Sequence, residues 1–177
     1  MDEFEKIYYR EEQRFSQKWL WIMIVSIAVL FTVGFVKQIV FKIPFGDNPM
    51  SDFGLIVILI ITSIVMPGLL YWLRLITIVK SDGVHFRFTL LNFSFSKILF
   101  TNIRKYEARI YSPISEYGGW GIRNGGTNGK AYNVSGDRGI QFEIDDGTRI
   151  LIGTQKSEEF IKALHEAMAN TTRDSKE

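Results

Sequence analysis

Two long apolar runs fill much of the first half of the chain, and short alternating segments fill the second. Between Trp19 and Val36 the only polar side chains are Ser26 and Thr32, and between Leu55 and Leu73 they are Thr62, Ser63 and the amphipathic Tyr71 and Trp72. Each run supplies about the 20 apolar residues with which a helix crosses a bilayer core. The pattern predicts a transmembrane helical hairpin: a first span over residues 19–41, a turn over 42–52 and a second span over 53–74. Pro44, Gly46, Asp47, Asn48 and Pro49 cannot continue a helix, so the spans must run antiparallel. Pro67-Gly68 predicts a kink, because proline removes an intrahelical hydrogen bond and crowds the preceding turn. Lys18, Trp19 and Trp21 at one end, and Tyr71, Trp72 and Arg74 at the other, are the residue types that anchor at the membrane interface. Lys37 and Gln38 can reach the far interface by snorkelling.

Residues 1–18 interleave charge with Phe4, Ile7, Tyr8 and Phe15 at a loose three-to-four spacing. This reads as an amphipathic leader helix at the interface, or as a solvated tail. The leader is acidic as well as basic and no small-residue cleavage site follows it, which argues against a signal peptide. Lys6, Arg10, Arg14 and Lys18 flank the first span, and Arg74, Lys80 and Arg87 follow the second, against only Lys37 and Lys42 near the turn. The positive-inside rule then puts both termini in the cytoplasm and the turn outside the inner membrane.

From Leu75 onward the period falls to two. Val84, Phe86, Phe88 and Leu90 alternate with His85, Arg87 and Thr89, as a half-buried strand requires. Residues 75–79, 95–100 and 103–111 read as further strands, and Ile140, Phe142 and Ile144 lead through Asp146-Gly147 into a returning strand at 150–152. Ser157 caps a closing helix with Glu158 and Glu159 in its first turn and Phe160, Ile161, Leu164 and Met168 on one face. A polar tail follows from Asn170. Residues 75–177 thus form a small mainly-β domain, an antiparallel barrel or curved sheet closed by one helix.

Residues 117–139 interrupt this pattern and hold eight of the chain's fifteen glycines, so the backbone there takes positive φ or is approached closely. Neither phosphate-loop pattern fits: Gly129-Lys130 has Asn124 where a Walker glycine belongs and Ala131 after it, and Gly119 and Gly121 are followed by Asn124 rather than glycine. Two readings remain. In one, the insert is a β-hairpin or a pair of loops with Trp120, Ile122, Tyr132 and Val134 packed inward. In the other, Trp120, Arg123, Lys130, Tyr132 and Arg138 form an exposed binding surface, since arginine with aromatics is the composition of interface hot spots.

Composition narrows the chemistry. A net charge of +2 gives no basic footprint for nucleic acid. The absence of cysteine removes disulfides, thiolate metal sites and thiol catalysis, and two histidines are too few for a multi-histidine metal site. No cofactor is expected. His85 and His165 read as surface residues, and Asp145-Asp146 reads as a turn.

Glu116-Tyr-Gly-Gly-Trp-Gly-Ile-Arg123, Gly129-Lys-Ala-Tyr-Asn-Val-Ser-Gly136 and Leu151-Ile-Gly-Thr-Gln-Lys-Ser-Glu-Glu-Phe160, behind two amino-terminal spans and a Glu11-Glu-Gln-Arg-Phe15 leader, carry a resemblance. The chain resembles a family of uncharacterised prokaryotic membrane proteins whose soluble part is similar to bacterial pleckstrin-homology-like domains. The resemblance implies a partly open antiparallel barrel of about seven strands, capped by the C-terminal helix. Phosphoinositide binders of that fold place cations between their first two strands; here that loop reads Ser81-Asp82-Gly83, so no phosphoinositide site is expected. The sequence reading is a non-enzymatic, membrane-anchored binding or scaffolding module that meets a protein partner or assembles with itself. The alternative is a domain that contacts anionic lipid, through Lys97, Arg104, Lys105, Arg109, Arg123, Lys130 and Arg138. An enzyme or a transporter accessory subunit ranks below both.

Overall fold

A computed structural model of the chain describes residues 6–91 and 94–174; Phe4 of the leader and the last three residues lie outside them. The chain divides into two compact units, one of residues 15–72 and one assembled from the segments before and after it.

The first unit holds two helices long and apolar enough to cross a membrane, α1 (Lys18–Val40) and α2 (Asp52–Trp72). In each, only 11% of the apolar window is buried inside the protein. Ser51 caps α2 by accepting a hydrogen bond from the Gly54 amide at 3.2 Å. A widened π turn, Ile61–Val65, stands just upstream of Pro67 in α2, and another, Val36–Val40, ends α1. Gln38 does not reach outward. Its amide donates to the Met50 carbonyl at 2.7 Å and to Asp52 Oδ1 at 2.8 Å, tying the connection to both helices. Gly34 accommodates the ring of Phe45, which a Cβ would meet at 2.7 Å.

The second unit has two sheets. Strands β1 (Ile7–Arg14), β2 (Arg74–Lys80), β3 (Gly83–Phe88) and β4 (Ser96–Leu99) form an antiparallel sheet in chain order. Strands β5 (Ile103–Ile110), β6 (Gly121–Asn124), β7 (Lys130–Asn133), β8 (Arg138–Ile144) and β9 (Arg149–Gly153) form the other, in the order β5-β8-β9-β7-β6. A short helix α3 (Pro113–Tyr117) follows β5, and α4 (Ser157–Asp174) closes the chain. The two sheets do not close into a barrel. The architecture corrects the expected one in two ways: there are nine strands among the described residues rather than about seven, and β7 runs parallel to β9. The last helix also continues through the tail that reads as polar.

The leader is a strand, not an amphipathic helix. Tyr9, Glu11 and Gln13 are buried while Arg10, Glu12 and Arg14 face out, a period of two hidden from hydropathy because two of the three inward residues are polar. β1 pairs along β2 from Ile7↔Lys80 to Arg14↔Arg74, so the helical hairpin is spliced between two neighbouring strands. Arg74 accordingly belongs to β2, beside Glu12 at 3.6 Å, rather than to the end of a span. The core gathers Val79, Phe88, Phe142 and Ile152 under Phe160, Ala163, Leu164 and Ala167 of α4, whose spacing gives one buried stripe. Tyr9 stacks on Phe160 at 4.9 Å. Ile161 and Met168, expected in that stripe, sit at its margin.

Candidate functional site

The glycine-rich insert extends the five-stranded sheet. α3 ends on Gly118 in the left-handed conformation, and β6 pairs with β7 as a hairpin. Gly129, at φ 79°, lies so close to β9 that a Cβ would stand 2.1 Å from the Arg149 carbonyl oxygen; only glycine permits this docking. On the outer face, Tyr111 and Tyr117 cover Ala131 and Leu151 as a small second core. Burial pushes the Tyr111 hydroxyl up to about 12.

This geometry does not bring the five predicted surface residues together. Arg123 pairs with Ala131 in register and projects from the outer face, its Nε donating to the Trp120 carbonyl at 2.8 Å. The Trp120 indole donates to the Gly136 carbonyl at 3.1 Å. Lys130 and Tyr132 point to the opposite face, where Tyr132 meets Phe86 edge-on at 4.6 Å, and Arg138 stands at the start of β8. Val134 is fully buried. Trp120 and Arg123 thus form one small cluster beside β6, and the other three residues lie apart from it.

At the opposite edge of the sheet runs β5, eight residues long and paired only to β8 among the described strands. In an antiparallel pair, successive residues turn their N–H and C=O alternately toward and away from the partner. Tyr111 donates to the Asp137 carbonyl at 2.8 Å and fixes that phase. Arg109 and Glu107 therefore bond toward β8, while the backbone groups of Tyr106, Ala108 and Ile110 point away from the sheet. Ala108 is exposed, and Ile110 is 69% exposed.

Helix α4 contributes the other wall of a groove along this edge. Ser157, Ile161, His165 and Met168 share one helical face by spacing. The His165 ring stands 5.8 Å from that of Tyr106. A recess of about 660 Å³ opens between Ile103, Tyr106 and Met168, and another of about 190 Å³ between Ala108, Ile110 and Ser157. The outer face of β5 is charged in alternation. Lys105 lies 2.7 Å from Glu107, which holds the lysine above and the glutamate below their ordinary pKa values. Arg109 lies 2.8 Å from Glu116; burial pushes that carboxyl up, but the Ser112 amide and Arg109 more than offset it, so it titrates below the usual range. His85 carries an unforeseen partner, Asp82 at 2.8 Å, which also pairs with Lys97. Among the described residues no three His, Asp or Glu side chains gather closely enough to hold a metal ion.

A model described as "Family of unknown function (DUF6141)" matches residues 2–171 of the chain. The chain belongs to this family. No curated protein and no solved structure matches it. The segment matched by DUF6141 takes in both units, and within it two stretches of the sequence resemblance meet in space. Glu11 is 7% exposed and accepts hydrogen bonds from the Tyr9 hydroxyl at 2.7 Å, the Thr154 hydroxyl at 2.7 Å, the Gln155 amide at 2.9 Å and the Gln13 amide at 3.3 Å. Gln13 also donates to the Gly153 carbonyl at 2.6 Å. A carboxylate this buried needs such a donor set, since burial takes away most of its hydration. The cluster fastens the strand before the helical hairpin to the last strand of the chain. Neither Glu11 nor the β5 edge is visible as a site in the sequence: one looks like a surface charge, and the other depends on strand order.

Proposed function

We propose that this DUF6141 chain is a non-enzymatic module, anchored in the inner membrane by α1 and α2, whose β-rich unit binds another polypeptide strand at the β5 edge. The observation that carries this reading is the run of outward backbone groups at Tyr106, Ala108 and Ile110, beside a groove walled by α4. Unpaired strand edges template the addition of another strand, with side-chain recesses supplying selectivity. Membrane anchoring is supported by the length of both helices and by the 11% burial of their apolar windows, since a soluble core helix hides such a surface. Both termini are assigned to the cytoplasm from the lysine and arginine bias.

In this reading the β-rich unit is pleckstrin-homology-like. Setting aside the β6–β7 hairpin leaves seven strands and a C-terminal helix. The true loop between its first two strands is then the helical hairpin itself, not Ser81-Asp82-Gly83. The lipid-contact alternative is weakened by charge pairing: three of its seven cations, Lys97, Lys105 and Arg109, each face a carboxylate.

The test is gentle extraction of the full-length protein from its native membrane, followed by sizing and mass spectrometry. Wild type is expected to emerge with a stoichiometric protein or as an oligomer, and Ala108→Pro to lose it, because proline removes one outward N–H from an edge strand. A lone monomer in both cases contradicts the reading.

A further inference from the structure

We infer that the strand received by β5 is β5 of a second copy, paired antiparallel with Ala108 facing Ala108 across a two-fold axis. The inference rests on the open-edge reading and names its occupant. Three registers are disfavoured on the residues themselves. Centred on Glu107, the pairing sets Glu107 against its twin and Lys105 against Arg109; centred on Arg109, it sets that residue against its twin. Centred on Tyr106, it runs into the irregularity between Ile103 and Lys105.

Centred on Ala108, the pattern is self-complementary. Glu107 of each copy faces Arg109 of the other on the outer face, in the closely spaced, non-hydrogen-bonded position, where the two would join the pairs they already make with Lys105 and Glu116. On the inner face Tyr106 of each copy faces Ile110 of the other. The backbone groups that point outward, those of Tyr106, Ala108 and Ile110, are the ones this register uses, and they close about six hydrogen bonds. The exposed Ile110 gains an aromatic neighbour. Five residues on each side make a small interface, which suits chains confined by membrane anchors, where effective concentration is high.

The chain has no cysteine, so single cysteines report the register directly. Full-length Ala108→Cys and Ile110→Cys proteins are treated with a mild oxidant in native membranes. Across the axis the two Ala108 Cα atoms stand about 5.5 Å apart, within reach of a disulfide, whereas the two Ile110 positions are separated by four residues of strand, roughly 13 Å. Ala108→Cys is expected to form a disulfide dimer at least ten-fold faster than Ile110→Cys, and the Glu107→Arg change, at an exposed position, to abolish the difference. Equal rates, or no dimer from either, overturn the self-pairing. Absence of a dimer with a second protein retained at wild-type stoichiometry overturns it while leaving the open-edge reading intact; absence of both removes the two together.

Discussion

At the scale of single residues, Glu11 shows how a charged side chain can serve as a structural hub. Four donors converge on its carboxylate, and Glu11→Ala leaves Gln13 only the Gly153 carbonyl, leaves the Tyr9 and Thr154 hydroxyls only each other, and takes the acceptor from the part-buried Gln155 amide. The expected loss is about 3 kcal/mol of unfolding free energy, read from denaturant melts of full-length protein in detergent; a loss below about 1 kcal/mol contradicts the hub. Tyr111 gives a pH signature. Its phenol titrates near 10.0 when unfolded and about 12 when folded, chiefly because burial disfavours the phenolate. The stability from keeping it neutral is whole below pH 10 and drains as pH rises to about 12, by an amount on the order of 2 kcal/mol. Melting temperatures across that window should fall, and less steeply in Tyr111→Phe; identical slopes would refute the assignment. Neither residue announces itself in sequence. Glutamate and glutamine on an inward face mimic a solvated stretch, so β1 reads as a leader.

Elements were more legible than residues where apolar positions alone carry the pattern. The alternation of Val84, Phe86 and Phe88 and the Asp146-Gly147 turn mark their strands and hairpin because apolar side chains fill the inward places. The Tyr117–Gly139 stretch is harder, since the same glycines serve an exposed loop and a hairpin pressed against a neighbouring backbone. Gly129 separates the two. Substitution by alanine strains a positive φ and also sets a Cβ against the Arg149 carbonyl oxygen of β9, and Gly129→Ala is expected to cost about 1–3 kcal/mol. Hydrogen exchange should then speed in residues 121–133 before the rest of the sheet; unchanged exchange there would mean that the hairpin is not held by this contact.

For the whole molecule, the organising fact is topological: one sheet is completed by a strand from before the helical hairpin. The two helices are plain in sequence from composition alone. Their insertion between β1 and β2 is not, because strand neighbours far apart in sequence leave no local trace. If α1 and α2 span a bilayer, the full-length protein stays with the membrane pellet after an alkaline carbonate wash and leaves it only with detergent. Release by the wash would place the hairpin elsewhere.

The central claim is that the β5 edge is occupied in the native membrane. Amide hydrogen exchange read at Tyr106, Ala108 and Ile110 measures this most directly, since their N–H groups have no partner within the sheet. The account predicts slow exchange at these amides in native membranes and fast exchange once detergent has dispersed the protein to monomers. Equally fast exchange in both would contradict it.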